Sequence, residues 1–156
     1  KVFAMTGWRL GVEIATKVVI EKMGLLLQTT SSCVSGFIQD AGIEAINGDQ
    51  SRVNFMIQQY QKRMEVLHKG LNEVNGFSCQ ISKGAIYMFA NIKDTGLSSQ
   101  EVTDILLEKA DVAVLPGNNF GNCGEGYIRL CCCISLEEIK EGINRIKKVF
   151  GEKNEH

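Results

Sequence analysis

The sequence predicts an α/β fold, in which a small two-layer domain with a short mixed sheet follows the tail of a larger domain. Three observations support this prediction. Helical and strand-like runs alternate from Asp49 onward, two of the later helices begin with a Ser-x-x-Glu pattern, and the first part of the chain has too few strands to close a core. We place the tail of the large domain at residues 1–47 and the small domain at residues 48–156.

The small domain begins with the clearest helix of the sequence, predicted over residues 49–74. Asp49 is placed to cap its start, and apolar residues recur at helical spacing along one face. Two strand-like runs, 77–81 and 85–92, follow and predict a hairpin. The apolar face of the helix consists of Val53, Met56, Tyr60, Met64, Leu67, Leu71 and Val74.

The remainder of the small domain continues the alternation of helix and strand. Capping boxes at Ser98–Glu101 and Ser135–Glu138 predict the starts of two further helices. Short strands are predicted at 112–115 and 127–134. The loop between them, residues 117–126, is rich in glycine and asparagine but lacks the residue order of a nucleotide-binding loop, so we interpret it as a turn.

Residues 1–47 have the pattern of an incomplete layer. The run from Trp8 to Ala15 predicts a strand, and helices are predicted over residues 17–28 and 32–46. One strand and two helices cannot bury a core by themselves. We therefore expect the neighbouring strands to come from outside this sequence.

Composition and charge disfavour two kinds of partner. The chain has 17 Lys and Arg against 18 Asp and Glu, a formal net charge of -1, with the basic residues dispersed. A nucleic-acid-binding surface usually needs a basic excess, so no nucleic acid is expected. No apolar run approaches the roughly 18 residues that suggest a transmembrane helix, so no membrane span is expected either.

The six cysteines include three in a row, at residues 131–133. No pair has the spacing of a zinc knuckle, and adjacent residues of a strand point to opposite faces, so a triplet cannot converge on one ion. We interpret the cysteines as small buried apolar residues. Free thiols favour a reducing, cytoplasmic environment.

Two arginines and one lysine are candidates for chemistry. Arg9 lies between Gly7 and Gly11, which suggests close backbone approach to a phosphate or carboxylate, although a surface arginine on an edge strand is the simpler alternative. Arg129 lies in an otherwise uncharged strand, where either a substrate carboxylate or an internal glutamate would compensate its burial. Lys1 supplies an amine that can act as a nucleophile.

Four motifs resemble the C-terminal portion of class I/II pyridoxal-phosphate-dependent aminotransferases, the aspartate aminotransferase-like group of fold type I. The resemblance covers essentially the whole chain. It implies that the parent protein is a cytoplasmic homodimer that uses pyridoxal 5'-phosphate to transfer an amino group between an amino acid and a 2-oxo acid. The motifs are K-x-F-A-M-T-G-W-R-L-G at 1–11, K-G-A-I-Y-M-F-A-N-I at 83–92, V-L-P-G-x-x-F-G at 114–121 and G-E-G-Y-I-R-L at 124–130.

The resemblance also implies a role for each candidate residue. Lys1 matches the lysine that forms the Schiff base with the cofactor, Arg9 the arginine for the cofactor phosphate, and Arg129 the arginine for the substrate α-carboxylate. The family's Ser-x-Ser ahead of the lysine and the rest of its large domain are not in this sequence. We therefore interpret the chain as a fragment that is inactive alone. The alternatives are another fold-type-I enzyme, of the C–S lyase or aminocyclopropane-carboxylate synthase type, and a non-catalytic isolated domain.

Overall fold

A computed structural model describes residues 2–153 of the chain. The chain divides into two units, Lys1–Ile57 and Gln58–His156, and the division falls inside a long helix. Units defined by internal contacts need not coincide with the domains of a longer protein. The predicted domain boundary at residues 47 and 48 therefore stays a prediction.

The first unit contains both of its predicted helices, α1 (Lys17–Thr30) and α2 (Gly36–Asn47). Helix α2 begins later than predicted because Ser32 has a φ of 60°, which lies in the left-handed region and cannot belong to a right-handed helix. Helix α3 (Ser51–Asn72) starts in this unit, and the Asp49 carboxylate accepts a hydrogen bond from the Ser51 backbone N–H at 3.0 Å, which satisfies the first N–H of the helix.

The predicted strand at residues 8–15 is wrong. Thr6–Trp8 form a single 3₁₀ turn, and residues 9–16 have no regular secondary structure. A strand is stabilised by backbone hydrogen bonds to a neighbouring strand, and the described part of this unit contains no second strand. The apolar residues of this segment therefore have no neighbouring strand within the described part of the unit with which to form a sheet.

The second unit is built on a four-stranded sheet with the order β1-β2-β4-β3. All three neighbouring pairs are antiparallel, so the prediction of a mixed sheet is wrong. Strands β2 and β3 do run in the same direction, but β4 lies between them and pairs antiparallel with both. The strands are β1 (Ser78–Cys79), β2 (Tyr87–Asn91), β3 (Leu115–Pro116) and β4 (Tyr127–Cys131).

Three helices supply the apolar residues that pack against one face of this sheet: the second half of α3, α4 (Ser99–Ala110) and α5 (Leu136–Phe150). Both capping boxes are confirmed. The hydroxyl of Ser98 accepts from the Glu101 N–H, that of Ser135 accepts from the Glu138 N–H, and both glutamates complete the reciprocal bond. The largest fully buried side chains are Leu71, Val74, Phe77, Met88, Ile92, Val102, Leu106, Ile128, Cys132 and Ile146, with Ser99 as a polar member.

The predicted apolar face of α3 is confirmed by burial within the second unit. Met64, Leu67 and Leu71 are buried there, and Tyr60 is half-buried. Gly70 lies on the same helix where the side chain of Ile143 from α5 approaches so closely that a Cβ atom at this position would clash with it. Helices α3 and α5 therefore pack in close contact at this point.

The interpretation of the cysteines as buried apolar residues is correct for two of the six. Cys79 and Cys132 are buried, whereas Cys33, Cys123, Cys131 and Cys133 are exposed. In the triplet the reason is the alternation of side chains along an extended chain, which turns the middle residue into the core and its two neighbours away from it.

Candidate functional site

Arg129 lies in the middle of β4, on the face of the sheet turned away from the helices. Its neighbours Ile128 and Leu130 are buried in the core, and Arg129 itself is half-buried, as the alternation of side chains along the strand predicts. The antiparallel register places Phe89 of β2 on one side of it and Leu115 of β3 on the other.

Two aromatic rings contact the guanidinium group of Arg129. Its central carbon lies 4.4 Å from the ring centroid of Tyr87 and 4.3 Å from that of Phe120. Stacking of a guanidinium on a ring is favourable because the ring face is electron-rich, and it leaves the N–H groups at the edge of the guanidinium plane available. These contacts restrict the orientation of the side chain.

Arg129 has no ionic partner among residues 2–153. No carboxylate of the described chain lies within 4.0 Å of its nitrogens, and none of its N–H groups donates a hydrogen bond to a described residue. The internal ion pair with a glutamate, one of the two explanations left open by the sequence, is therefore absent from this part of the chain. The guanidinium is a half-buried cation whose N–H donors point to no protein acceptor there.

The glycine-rich loop between β3 and β4 determines where Phe120 lies. The prediction of a turn is confirmed, since residues 117–120 and 122–124 form two consecutive 3₁₀ turns. Gly117 and Gly124 meet backbone to backbone, and a Cβ atom on either would overlap the carbonyl group of the other. Their missing side chains allow the loop to fold tightly against the start of β4, next to Arg129.

The aromatic surface continues beyond Arg129. The ring of Phe89 lies 6.2 Å from Phe120 in an edge-to-face arrangement and 5.2 Å from Tyr127 in a stacked one. The ammonium group of Lys93 lies 5.0 Å from the centroid of Tyr127. This sheet face therefore combines two cations with four aromatic rings, which suits an anionic ligand with an apolar part.

The roles of Phe120 and Tyr87 were not predicted from the sequence. Phe120 belongs to the V-L-P-G-x-x-F-G motif, but the motif alone does not predict a contact with Arg129. Tyr87 has the same parity as Phe89 in β2, which places it on the same sheet face. The ring contacts Arg129 only because β2 and β4 pair in this particular register. The register cannot be predicted from one sequence.

Arg9 and Lys1 belong to the other unit. Lys1 is outside the described residues, and its predicted role stays a prediction. Arg9 is exposed, has a φ of 54° and finds no hydrogen-bond or ionic partner among the described residues. No described atom comes within 4 Å of a Cβ placed on Gly7 or Gly11, so the close approach suggested by these glycines does not involve the described chain.

The charge and exposure of Arg9 fit a phosphate group, because an exposed guanidinium can donate two parallel hydrogen bonds to phosphate oxygens. The left-handed backbone at Arg9 is unusual for a residue with a side chain and is often associated with functional sites. Residues 2–153 contain no group of three His, Cys, Asp or Glu side chains placed to bind a metal ion. Within the same residues, no helix has the length and apolar character needed to cross a bilayer.

The sequence pattern of the family described as aminotransferase class I and II matches residues 1–146. The chain belongs to this aminotransferase family. It is 44% identical over 156 residues to an aspartate aminotransferase of Pyrococcus horikoshii and 41% identical over 155 residues to aromatic-amino-acid aminotransferase 2 of Thermococcus litoralis. Each alignment covers 98% of this chain and 40% of the relative.

Solved aminotransferase structures confirm the α/β fold. The crystal structure of an aromatic aminotransferase from Pyrococcus horikoshii superposes with a TM-score of 0.89 at 39% identity, over 96% of this chain and 40% of that one. An aspartate aminotransferase from Rhizobium meliloti gives a TM-score of 0.87 at 30% identity. Members of this family depend on pyridoxal phosphate. The chain spans about 40% of the length of the curated relatives it matches.

Proposed function

We propose that this chain is the C-terminal part of an enzyme that transfers an amino group between an amino acid and a 2-oxo acid. Family membership supports the reaction class. The observation that most supports a substrate site is the Arg129 guanidinium, which two rings orient and no described carboxylate neutralises. Amino acids and 2-oxo acids share one group, the carboxylate next to the reacting carbon, so one arginine can serve both substrates.

Arg129 binds and orients this carboxylate in our proposal. A planar guanidinium makes two parallel hydrogen bonds to a carboxylate, which fixes both the position and the rotation of the substrate. Tyr87 and Phe120 restrict the guanidinium before the substrate arrives, so less conformational freedom is lost on binding. The substrate Cα–H bond is thereby presented in one direction, which favours proton transfer to a fixed base.

Arg9 and Lys1 are the other two residues of this chain to which we give a role in the reaction. Arg9 binds the phosphate of pyridoxal 5'-phosphate, and Lys1 is the nucleophilic amine and the base whose Nζ accepts the proton from the substrate Cα. When bound, the cofactor supplies the electron sink that weakens the bonds at that carbon. The residues that position its ring lie outside this sequence in our proposal.

The apolar surface of the first unit supports a longer parent protein. Gly42 is the one buried residue among residues 2–57, and α1 leaves six large aliphatic side chains exposed. We propose that the preceding part of the same protein covers them, completing the large domain, and that the whole enzyme is a cytoplasmic homodimer. The exposed side chains of α1 are Val18, Val19, Ile20, Leu25, Leu26 and Leu27.

The test compares the product of the complete gene with the 156-residue chain. Each is mixed with pyridoxal phosphate, 2-oxoglutarate and a panel that includes aspartate and phenylalanine, and glutamate formation is followed. We expect turnover on the order of 1–10³ per second from the complete protein, since that is the usual range for enzymes. We expect none from the 156-residue chain, because it supplies only part of the cofactor site.

Two results would contradict this proposal. Release of ammonia and a 2-oxo acid without any transfer to 2-oxoglutarate would favour a lyase of the same fold. Turnover at the full rate by the 156-residue chain would show that the chain does not need a preceding segment.

A further inference from the structure

We propose that Asn75 is a deamidation site, at which the side-chain amide becomes a carboxylate without an enzyme because the neighbouring Gly76 nitrogen is free to attack it. Asparagine followed by glycine is the most reactive pair for this change, since glycine has no side chain to hinder the attack. The sequence contains two such pairs, Asn47-Gly48 and Asn75-Gly76. Their glycine N–H groups have different surroundings. This proposal does not depend on the proposed function.

The N–H of Gly76 has no hydrogen-bond acceptor among residues 2–153. Gly76 is the third residue of a turn over residues 74–77, which the Phe77 N–H closes by donating to the Val74 carbonyl oxygen at 3.2 Å. Such a turn bonds its first residue to its fourth, so the N–H of the third residue takes no part in it. The Asn75 side chain is exposed, and its amide makes no hydrogen bond with a described residue. Neither reacting group is therefore held by a hydrogen bond.

The other pair, Asn47-Gly48, has an exposed asparagine as well, but its glycine nitrogen is engaged. Asn47 is the last residue of α2, and the Gly48 N–H donates to the Glu44 carbonyl oxygen at 2.7 Å. The Glu44 side chain also lies so close to Gly48 that a Cβ atom there would clash with it. Attack by this nitrogen requires its hydrogen bond to break first. The chain therefore contains the same dipeptide once with a free nitrogen and once with a bonded one.

Ring closure requires rotation about the Asn75 Cα–C bond, which brings the Gly76 nitrogen against the side-chain carbonyl carbon. This rotation leaves the Asn75 N–H in place, so its hydrogen bond to the Gly151 carbonyl oxygen at 3.0 Å is kept. The bond that must break joins Phe77 to Val74, and its length of 3.2 Å is at the long end of the usual range. Gly76 has a φ of 77° and no Cβ, so it adopts new backbone angles more easily than any other residue.

The reaction has two steps, and water and hydroxide are its only co-reactants. Hydroxide removes the Gly76 N–H proton, the nitrogen attacks Asn75 Cγ, and the bond from Cγ to the side-chain nitrogen breaks. That nitrogen takes a proton from water and leaves as ammonia, so a cyclic imide remains. Water then adds to either carbonyl group of the imide and opens the ring, which gives aspartate or isoaspartate. No atom is oxidised or reduced.

Isoaspartate at this position would disturb the contacts of the C-terminal segment, which is bonded on both sides of Asn75. Glu152 forms a β-bridge with Val74, and Lys153 Nζ donates to the Phe77 carbonyl oxygen at 2.7 Å. In isoaspartate the backbone runs through the side chain and gains one carbon between these two attachment points. Both contacts cannot then keep their present geometry. We expect the amide hydrogens of the C-terminal segment to exchange faster once Asn75 is converted.

Incubation of the protein encoded by the complete gene, at neutral pH and physiological temperature, tests the site. Trypsin releases residues 23–52 and 70–83 as separate peptides, each with one of the two pairs. Conversion of an amide to a carboxylate changes the peptide mass, and fragmentation locates the change. We expect Asn75 to be converted about 2- to 10-fold faster than Asn47, because the Gly48 nitrogen must first break one hydrogen bond. Asn75→Gln should remove the change from residues 70–83 and leave conversion of Asn47 unaltered.

The same incubation in concentrated urea separates the effect of the fold from that of the local sequence. Unfolding frees both glycine nitrogens, so the rates at Asn47 and Asn75 should converge. The proposal is overturned if Asn47 is converted as fast as Asn75 or faster in the folded protein, or if the difference persists in urea. Conversion at Asn72 in place of Asn75 would also overturn it, because hydrogen bonds to His68 and Cys79 hold the Asn72 side chain.

Discussion

At the scale of single residues, the orientation of Arg129 depends on contacts that come from three parts of the chain. Tyr87 is on β2, Arg129 is on β4, and Phe120 is in the loop before β4. An arginine side chain has many rotamers, and fixing it costs conformational entropy on binding. The two rings restrict the side chain in the folded protein, so the guanidinium is held in one orientation before any ligand binds.

Gly117 is the residue on which the position of Phe120 depends most. We expect Gly117→Ala to lower the free energy of unfolding by about 1–3 kcal/mol, because its Cβ would overlap the backbone of Gly124 and Tyr127 and force the loop to move. Urea denaturation followed by circular dichroism measures this change. Gly142→Ala is the matched control.

Gly142 lies inside α5, where a Cβ atom has open space. Alanine should therefore stabilise the helix by about 0.5–1 kcal/mol. Equal effects of the two substitutions would contradict the close backbone contact in the loop.

At the scale of elements, Glu125 joins the glycine-rich loop to the start of α4. Its carboxylate accepts hydrogen bonds from the Ser99 N–H at 2.8 Å and the Ser99 hydroxyl at 2.7 Å. The first N–H groups of a helix lack partners within the helix, so a carboxylate from elsewhere in the chain stabilises this end. The hydrogen bonds from the Ser99 backbone and side chain lower the pKa of Glu125.

Glu125→Gln should therefore destabilise the chain in a pH-dependent way. Because the pKa of Glu125 is lowered in the folded state, its contribution is fully present above about pH 4.5 and is lost as the pH falls through the lowered value. We expect the difference in unfolding free energy between wild type and variant to be largest near pH 7 and to shrink in acid. A difference that stays constant from pH 7 to pH 3.5 would contradict this account.

Substitutions on two sides of helix α3 test which of its faces packs in the core. Leu67 is 5% exposed on its buried face, and Leu67→Ala should cost about 2–5 kcal/mol, as expected for a large-to-small change in a packed core. Lys62→Ala, on the exposed side of the same helix, should change stability by less than about 0.5 kcal/mol. Denaturation of both variants gives the comparison, and a small effect at Leu67 would show that this face is not packed.

At the scale of the whole molecule, local signals were predictable and long-range pairing was not. The capping boxes at Ser98 and Ser135, the apolar face of α3 and the inward direction of Ile128 depend on residues a few positions apart. The order of the strands and the contact between Phe120 and Arg129 depend on segments that meet only in the folded chain. Periodicity contains no information on which strands become neighbours.

The wrong prediction of a strand at residues 8–15 and the wrong prediction of burial for Cys131 and Cys133 have related causes. The apolar run from Trp8 to Ala15 resembles a strand, but a strand forms only beside a partner, and the described chain offers none there. Cysteine is usually buried, yet Cys131 and Cys133 follow the alternation that also turns Arg129 away from the core. In both cases the folded surroundings decide the outcome, and the average tendency of the residue type to form a strand or to be buried does not.

The most direct test of the proposed site is Arg129→Lys in the protein encoded by the complete gene. Lysine keeps the positive charge but cannot make the planar two-bond contact with a carboxylate. We expect kcat/KM for the amino acid to fall by about 10- to 100-fold, the loss of one charge-assisted hydrogen bond. Binding of pyridoxal phosphate, followed by its visible absorption, should be unchanged, because the cofactor is assigned to Lys1 and Arg9. An unchanged kcat/KM, or a loss of cofactor equal to the loss of activity, would contradict the role assigned to Arg129.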